Sequence, residues 1–144
     1  MFQKSIVSAV LISLFFMSGC GGSKKSPAQV AAQTPNIKTF PLPIQKVWRT
    51  TLDTIEYDFL MGLEHQEPQK GFFTTEMIRD YQPFQKRRFR VSGSLIWDGQ
   101  GTIVKLYKHE EIEVNGEWQA IPSNSTLESQ ILQKISKRLQ QKPK

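Results

Sequence analysis

Three groups of residues in this chain carry side chains that could do chemistry. One is the basic run Lys86-Arg87-Arg88-Phe89-Arg90, whose guanidinium groups can grip phosphate or carboxylate oxygens two at a time. Another is the two histidines: His65 lies beside Glu64 and Glu67, and His109 beside Glu110, Glu111 and Glu113. Imidazole next to carboxylate is the raw material of general bases and of metal sites. The last is Cys20, the only thiol in the chain, which closes Met17-Ser18-Gly19-Cys20 at the end of an apolar run.

The thiol has the clearest setting. One positive residue, Lys4, precedes Ile6 to Phe16, which is apolar except for Ser8 and Ser13. A membrane-crossing helix needs about 20 apolar residues, so this shorter run reads as a cleavable signal peptide. Small residues at 18 and 19 let an extended chain enter a peptidase, and Cys20 offers a nucleophile for lipid attachment. Met17-Ser18-Gly19-Cys20 resembles the lipobox of bacterial lipoproteins, with Met where Leu is commoner. That resemblance covers only the first twenty or so residues. It implies a lipidated Cys20 and a membrane anchor of several acyl chains, more than reversible binding requires. Gly21 stands where an Asp would imply inner-membrane retention, so the expected location is the outer membrane, facing the periplasm.

Export bears on the other two groups. The alternation that makes Phe89 and Val91 one face of a strand puts Arg88 and Arg90 on the other, with Lys86 extending the row. Lys86, Arg88 and Arg90 are therefore the candidate binding residues, for an anionic surface or a partner. The same row would also keep a sheet face soluble and resistant to aggregation. Nucleic acid is not an expected partner, because an exported, lipidated chain does not meet it. His65 and His109 follow no helical or finger ligand spacing, so no metal site is assigned and they read as solvated strand residues. No glycine-rich loop joins a strand to a helix, and neither histidine has an obvious serine and aspartate partner. No catalytic residue and no cofactor are assigned, and enzyme activity is not expected.

The elements that must position these residues fit one domain. Of 144 residues, 1–19 are the expected leader and 20–36 the lipidated cysteine with a Gly, Ser, Lys, Ala, Gln and Pro tether, leaving 37–141 as a single folded unit. The formal charge of +6 falls to +5 without Lys4, which suits an anionic neighbourhood but identifies no partner. A lone cysteine excludes an intrachain disulfide.

After a short extended segment, Ile37 to Pro41, Pro43 suits a helix start, and Ile44, Val47, Trp48, Thr51, Leu52 and Ile55 form an apolar stripe with Trp48 in the core. Phe59 to His65 alternates as a strand, Glu67 to Gly71 turns, Phe72 to Arg79 reads as the next strand and Tyr81 to Gln85 as a break. Phe89, Val91, Gly93, Leu95 and Trp97 share one strand face, where Gly93 leaves room for a helix to approach closely. Asp98 to Gly101 and Asn115-Gly116 are hairpin turns, the latter the strongest such signal in the chain, on either side of a strand from Thr102 to Val114. The second turn would set Glu113 against Trp118, either on an exposed edge or shifted by a bulge. Ser125-Thr126-Leu127-Glu128 has the form of a capping box opening a helix striped by Leu127, Ile131, Ile135 and Leu139, to about Gln141.

The expected fold is α+β: a helix-grip-like two-layer domain, with an antiparallel sheet of four to six strands and two amphipathic helices packed on one face. The helix start Pro43 to Trp48, the strand Gly71 to Thr75 and the basic strand Arg88 to Arg90 resemble the BamC family of outer-membrane lipoproteins and its relatives. That family has two such domains and an extended N-terminal segment, and this chain has room for one domain. The resemblance implies a non-enzymatic protein-binding domain that serves envelope or β-barrel assembly, tethered to the membrane by lipid and meeting an envelope protein partner. The alternative is a binding module for anionic envelope polymer or lipid through Lys86, Arg88 and Arg90. A periplasmic enzyme built on His65 or His109 comes third.

Overall fold

The computed structural model describes residues 36–141, so the leader, Cys20 and the tether as far as Pro35 lie outside the described residues. In chain order the elements are β1 (Asn36–Phe40), α1 (Ile44–Asp53), β2 (Leu63–Glu67), β3 (Phe72–Thr75), β4 (Ile78–Gln82), β5 (Gln85–Trp97), β6 (Thr102–Val114), β7 (Glu117–Ile121) and α2 (Thr126–Gln140). The domain is α+β: two helices pack on an open antiparallel sheet of seven strands, where four to six were expected. The difference arises because the Phe72 to Arg79 run divides in two, and its second strand continues to Gln82, so the break expected over Tyr81 to Gln85 shrinks to Pro83-Phe84.

The spine is the hairpin of β5 and β6. The Asp98 carboxylate accepts hydrogen bonds from the N–H groups of Gln100 and Gly101 at 2.9 and 2.8 Å, which tightens the turn and sets Trp97 opposite Thr102. The same bonds, from Gln100 first, hold the Asp98 carboxyl below its usual range. From there the register runs unbroken to Arg87 opposite Ile112. β1 and β3 flank the half of this hairpin nearest the turn, with β2 outside β3, while β4 and β7 flank the other half.

Strand alternation then separates two faces. Phe73, Val91, Leu95, Val104 and Leu106 point to one side and are buried with Val47 and Ile55 from the α1 segment and Ile131 and Ile135 of α2. The stripes read from the helical periodicity are thus the ones that meet the sheet. Gly93 lies on the same face, but the room it leaves is taken by a neighbouring strand and not by a helix. A Cβ there would stand 2.3 Å from Cε1 of Phe73 and 2.9 Å from Cδ2 of Leu106. The Phe73 ring fills the notch and meets Trp48 of α1 edge-on, with centroids 6.2 Å apart.

Three local expectations are corrected. The stretch from Phe59 is not yet a strand: α1 widens into a π-helical turn over Thr54–Asp58, Leu60 takes a left-handed φ of 53°, and pairing starts only at Leu63. Its apolar alternation is real, with Met61 buried and Leu60 exposed, but belongs to irregular chain held by Met61 N–H donating to Ile55 O. The run from Phe72 gains one residue of register between Thr74 opposite Ser92 and Ile78 opposite Phe89. That bulge turns Ile78, rather than Met77, toward the helices.

Nor does the capping box form. Ser125 sits at the helix start with φ of 61° and its side chain caps nothing. Glu128, only 2 % exposed, instead accepts from the Ser123 hydroxyl at 2.9 Å and from the Lys108 N–H at 3.1 Å. The reason lies in the sheet. β1 pairs with β6 as far as Leu106 and β7 from Glu110, so Lys108 falls in the gap between them with a buried donor to satisfy. On the other side of the spine the Thr75 hydroxyl plays the same part, accepting from Val91 N–H at 2.9 Å beside the β3–β4 bulge.

Candidate functional site

The face away from the helices is where the expected site residues lie. β5 presents Arg88, Arg90, Ser92, Ser94 and Ile96 there, and the register brings Glu111, His109, Tyr107, Lys105 and Ile103 of β6 opposite them in turn. β3 adds Phe72 and Thr74, and β7 adds Trp118, opposite Glu113. No described helix covers this side.

Lys86, Arg88 and Arg90 do share this face, as alternation predicts, and each is partnered by a carboxylate. Lys86 Nζ is 2.8 Å from Glu113, the Arg88 guanidinium is bonded to Glu111, and Arg90 reaches Glu64 at 3.6 Å. Arg88 also stacks over the Trp118 indole, 4.2 Å from the ring centroid. So the Asn115-Gly116 register holds without a bulge, both residues taking positive φ, and Trp118 has a partner. Pairs of this exposure contribute about 0.2–1 kcal/mol each to sheet pairing. Their larger consequence is electrostatic: the row is a ladder of alternating sign, not an uncompensated basic stripe. This was within reach of the sequence, since the four-residue turn after Trp97 sets Arg88 against Glu111 by counting alone. The period of either strand alone carries no sign of the charges on the facing one.

The histidines are on the same face but not together. His65 bonds to Glu67 at 2.9 Å and leans toward Phe72. The contacts from His65 first and then from Lys70 hold the Glu67 carboxyl below its usual range. His109 lies opposite Arg90, with its Nε2 3.0 Å from the Ser92 hydroxyl. Desolvation of the ring, and then the Arg90 charge, lower the His109 pKa, while Glu111 pulls the other way. A hydroxyl on an imidazole has the geometry of a nucleophile and its base. Here it sits in mid-sheet, where the strand ladder uses backbone N–H groups that an acyl-transfer site would aim at an oxyanion. Among the described residues no cluster of three or more His, Cys, Asp or Glu could hold a metal.

Elsewhere, Trp48 is half-buried against the core and also lines a groove of about 720 Å³ along α1 with Ile44, Arg49, Asp53 and Pro68. Among the described residues, no helix is long and apolar enough to cross a membrane. Cys20, the expected lipidation site, lies outside the described residues. Compared with known proteins, the chain matches no family model and no curated protein.

Proposed function

We propose that this chain is an outer-membrane lipoprotein whose periplasmic domain binds another envelope protein through its bare sheet face, with no chemistry of its own. In this role it is an accessory of envelope or β-barrel assembly, like the BamC family it resembles. The observation that supports the reading is the face itself: a seven-stranded sheet covered by helices on one side only, with Ile37 and Ile96 exposed on the other at 54 % and 48 %. Ile96 lies opposite Ile103, and Ile37 is the diagonal neighbour of Ile103, so these side chains form one contiguous apolar patch, as the centre of a protein interface does. Against an anionic polymer or lipid as the ligand stands the carboxylate beside each of Lys86, Arg88 and Arg90.

The test joins anchor and face. Palmitate labelling should mark the wild-type chain and disappear in Cys20→Ala. A photo-crosslinker at Tyr107 or Ile96 should trap one defined envelope protein at native expression, and one at Lys46 on exposed α1 should not. Recovery of the chain alone, or equal trapping from Lys46, would sink the interface. A product that vanishes steeply with salt would favour the anionic ligand instead.

A further inference from the structure

At the end of the sheet farthest from the helices two hairpin tips stand side by side, and they are built differently. The β6–β7 tip is Asn115-Gly116, with φ of 53° and 84°, the conformation that suits a two-residue hairpin. The β4–β5 tip, between paired Gln82 and Gln85, is Pro83-Phe84. Proline holds φ negative, so this turn is not of the kind that matches strand twist. At its apex the Phe84 side chain is 100 % exposed, more than any other large apolar side chain among the described residues. Neither the turn nor the core has a use for that ring. Between the tips lies a cleft of about 420 Å³ lined by Pro83, Phe84, Lys86, Glu113 and Asn115.

The way the chain enters the fold says what the ring meets. β1 runs antiparallel to β6 with Asn36 opposite Leu106, so the N-terminal end of β1 faces along β6 toward Val114 and the tips. From the level of Leu106 to that of Val114 is about 26 Å along the strand. Fifteen residues separate Cys20 from Asn36, and a chain of that length spans at most about 50 Å. That length is enough for Cys20 to reach the level of the tips.

We propose that Phe84 is a second membrane contact: its ring enters the interfacial layer of the leaflet that holds the Cys20 lipid, and stands the sheet on end with its bare face turned sideways to the periplasm. This rests on Cys20 being lipidated. A single phenyl ring binds a bilayer weakly, but a tether of this length keeps it at millimolar effective concentration. Beside it the Lys86 ammonium, exposed while paired with Glu113, lies at headgroup level.

Lipidation leaves no free thiol in the mature chain, so Phe84→Cys and Gln100→Cys can each carry one environment-sensitive fluorophore, at opposite ends of the spine. In vesicles of phosphatidylethanolamine and phosphatidylglycerol, the probe at 84 should shift to the blue and be quenched several-fold by nitroxide lipid, with the probe at 100 unaffected. Because the probe is itself apolar, hydrogen exchange at the β4–β5 tip supplies a second measurement. Vesicles should slow it in the wild-type chain and not in Phe84→Ser. A water-like probe at 84, quenching at 100 instead, or tip protection that appears in native envelopes but not in pure lipid would overturn the proposal. If palmitate marks the chain while the tip stays in water, this inference alone fails. If palmitate is absent, the anchor reading fails and takes this one with it.

Discussion

Replacing Gly93 by alanine tests the packing that joins the sheet to α1. The added methyl would lie 2.3 and 2.5 Å from Cε1 and Cζ of Phe73 and 2.9 Å from Cδ2 of Leu106. Carbon atoms rest at about 3.5–4.0 Å, so the overlap with the ring exceeds about 1 Å. Neither neighbour can swing clear, because Phe73 and Leu106 are both 0 % exposed and the ring is backed by Trp48. Overpacking of this kind costs about 1–3 kcal/mol, and removing a strand glycine returns roughly 0.5–1 kcal/mol. A net loss of about 1 kcal/mol should lower the melting temperature of a domain this size by roughly 4–8 °C. Urea denaturation followed by tryptophan fluorescence reads the unfolding through Trp48, Trp97 and Trp118, of which Trp48 touches the site. Phe73→Leu, which removes the two clashing ring carbons, should be destabilising in the wild-type chain but partly restorative in Gly93→Ala, with a coupling of at least about 1 kcal/mol. A Gly93→Ala melting temperature within about 2 °C of the parent, or strict additivity in the double variant, would refute the reasoning.

Glu128→Ala should destabilise by about 2–4 kcal/mol, because it leaves the Lys108 N–H and the Ser123 hydroxyl without their acceptor, whereas Glu128→Gln should stay within about 1 kcal/mol. One Glu128 oxygen is buried without a partner, so the amide exchanges an unpaired oxygen of a charged group for an unpaired neutral NH2; equal losses in urea titrations of the two variants would show that the carboxylate acts through its charge. Asp58, bonded first to Arg138 and then to Lys134, has its pKa held below the ordinary 3.8, and Arg138 has its own raised by Asp58. A depressed carboxylate stabilises fully above its unfolded pKa and loses that contribution as pH falls through the folded value, so Arg138→Gln should cost up to about 1 kcal/mol at neutral pH and progressively less toward about pH 2. A stability difference that does not change between those two conditions would remove the ion pair from the account.

Much of the fold was open to sequence reading. The helical stripes, the two long strands, and the turns at Asp98 and Asn115 all appear where side-chain period and turn chemistry put them. Those signals are local: a 3.6 or 2.0 repeat and a positive φ depend on neighbours a few residues away. The same holds for Met17 to Cys20, whose reading as a lipid anchor rests on sequence alone and lies outside the described residues. The candidate site was half legible: Lys86, Arg88 and Arg90 were placed on the correct face, but not their carboxylates.

Tertiary structure decided the matters that depend on which elements end where. Ser125 and Glu128 have the spacing of a capping box, yet Glu128 goes to Lys108, since a gap between β1 and β7 leaves a buried N–H that outweighs a solvent-accessible helix end. Gly93 reads as room for a helix and proves to be room for Phe73, because the adjacent strand lies closer to it than the helix layer does. The basic row reads as one strand's property and becomes a charge-balanced ladder once β6 and β2 lie alongside. Burial, compensation and the satisfaction of strand edges are relations between residues tens of positions apart, and no local period encodes them.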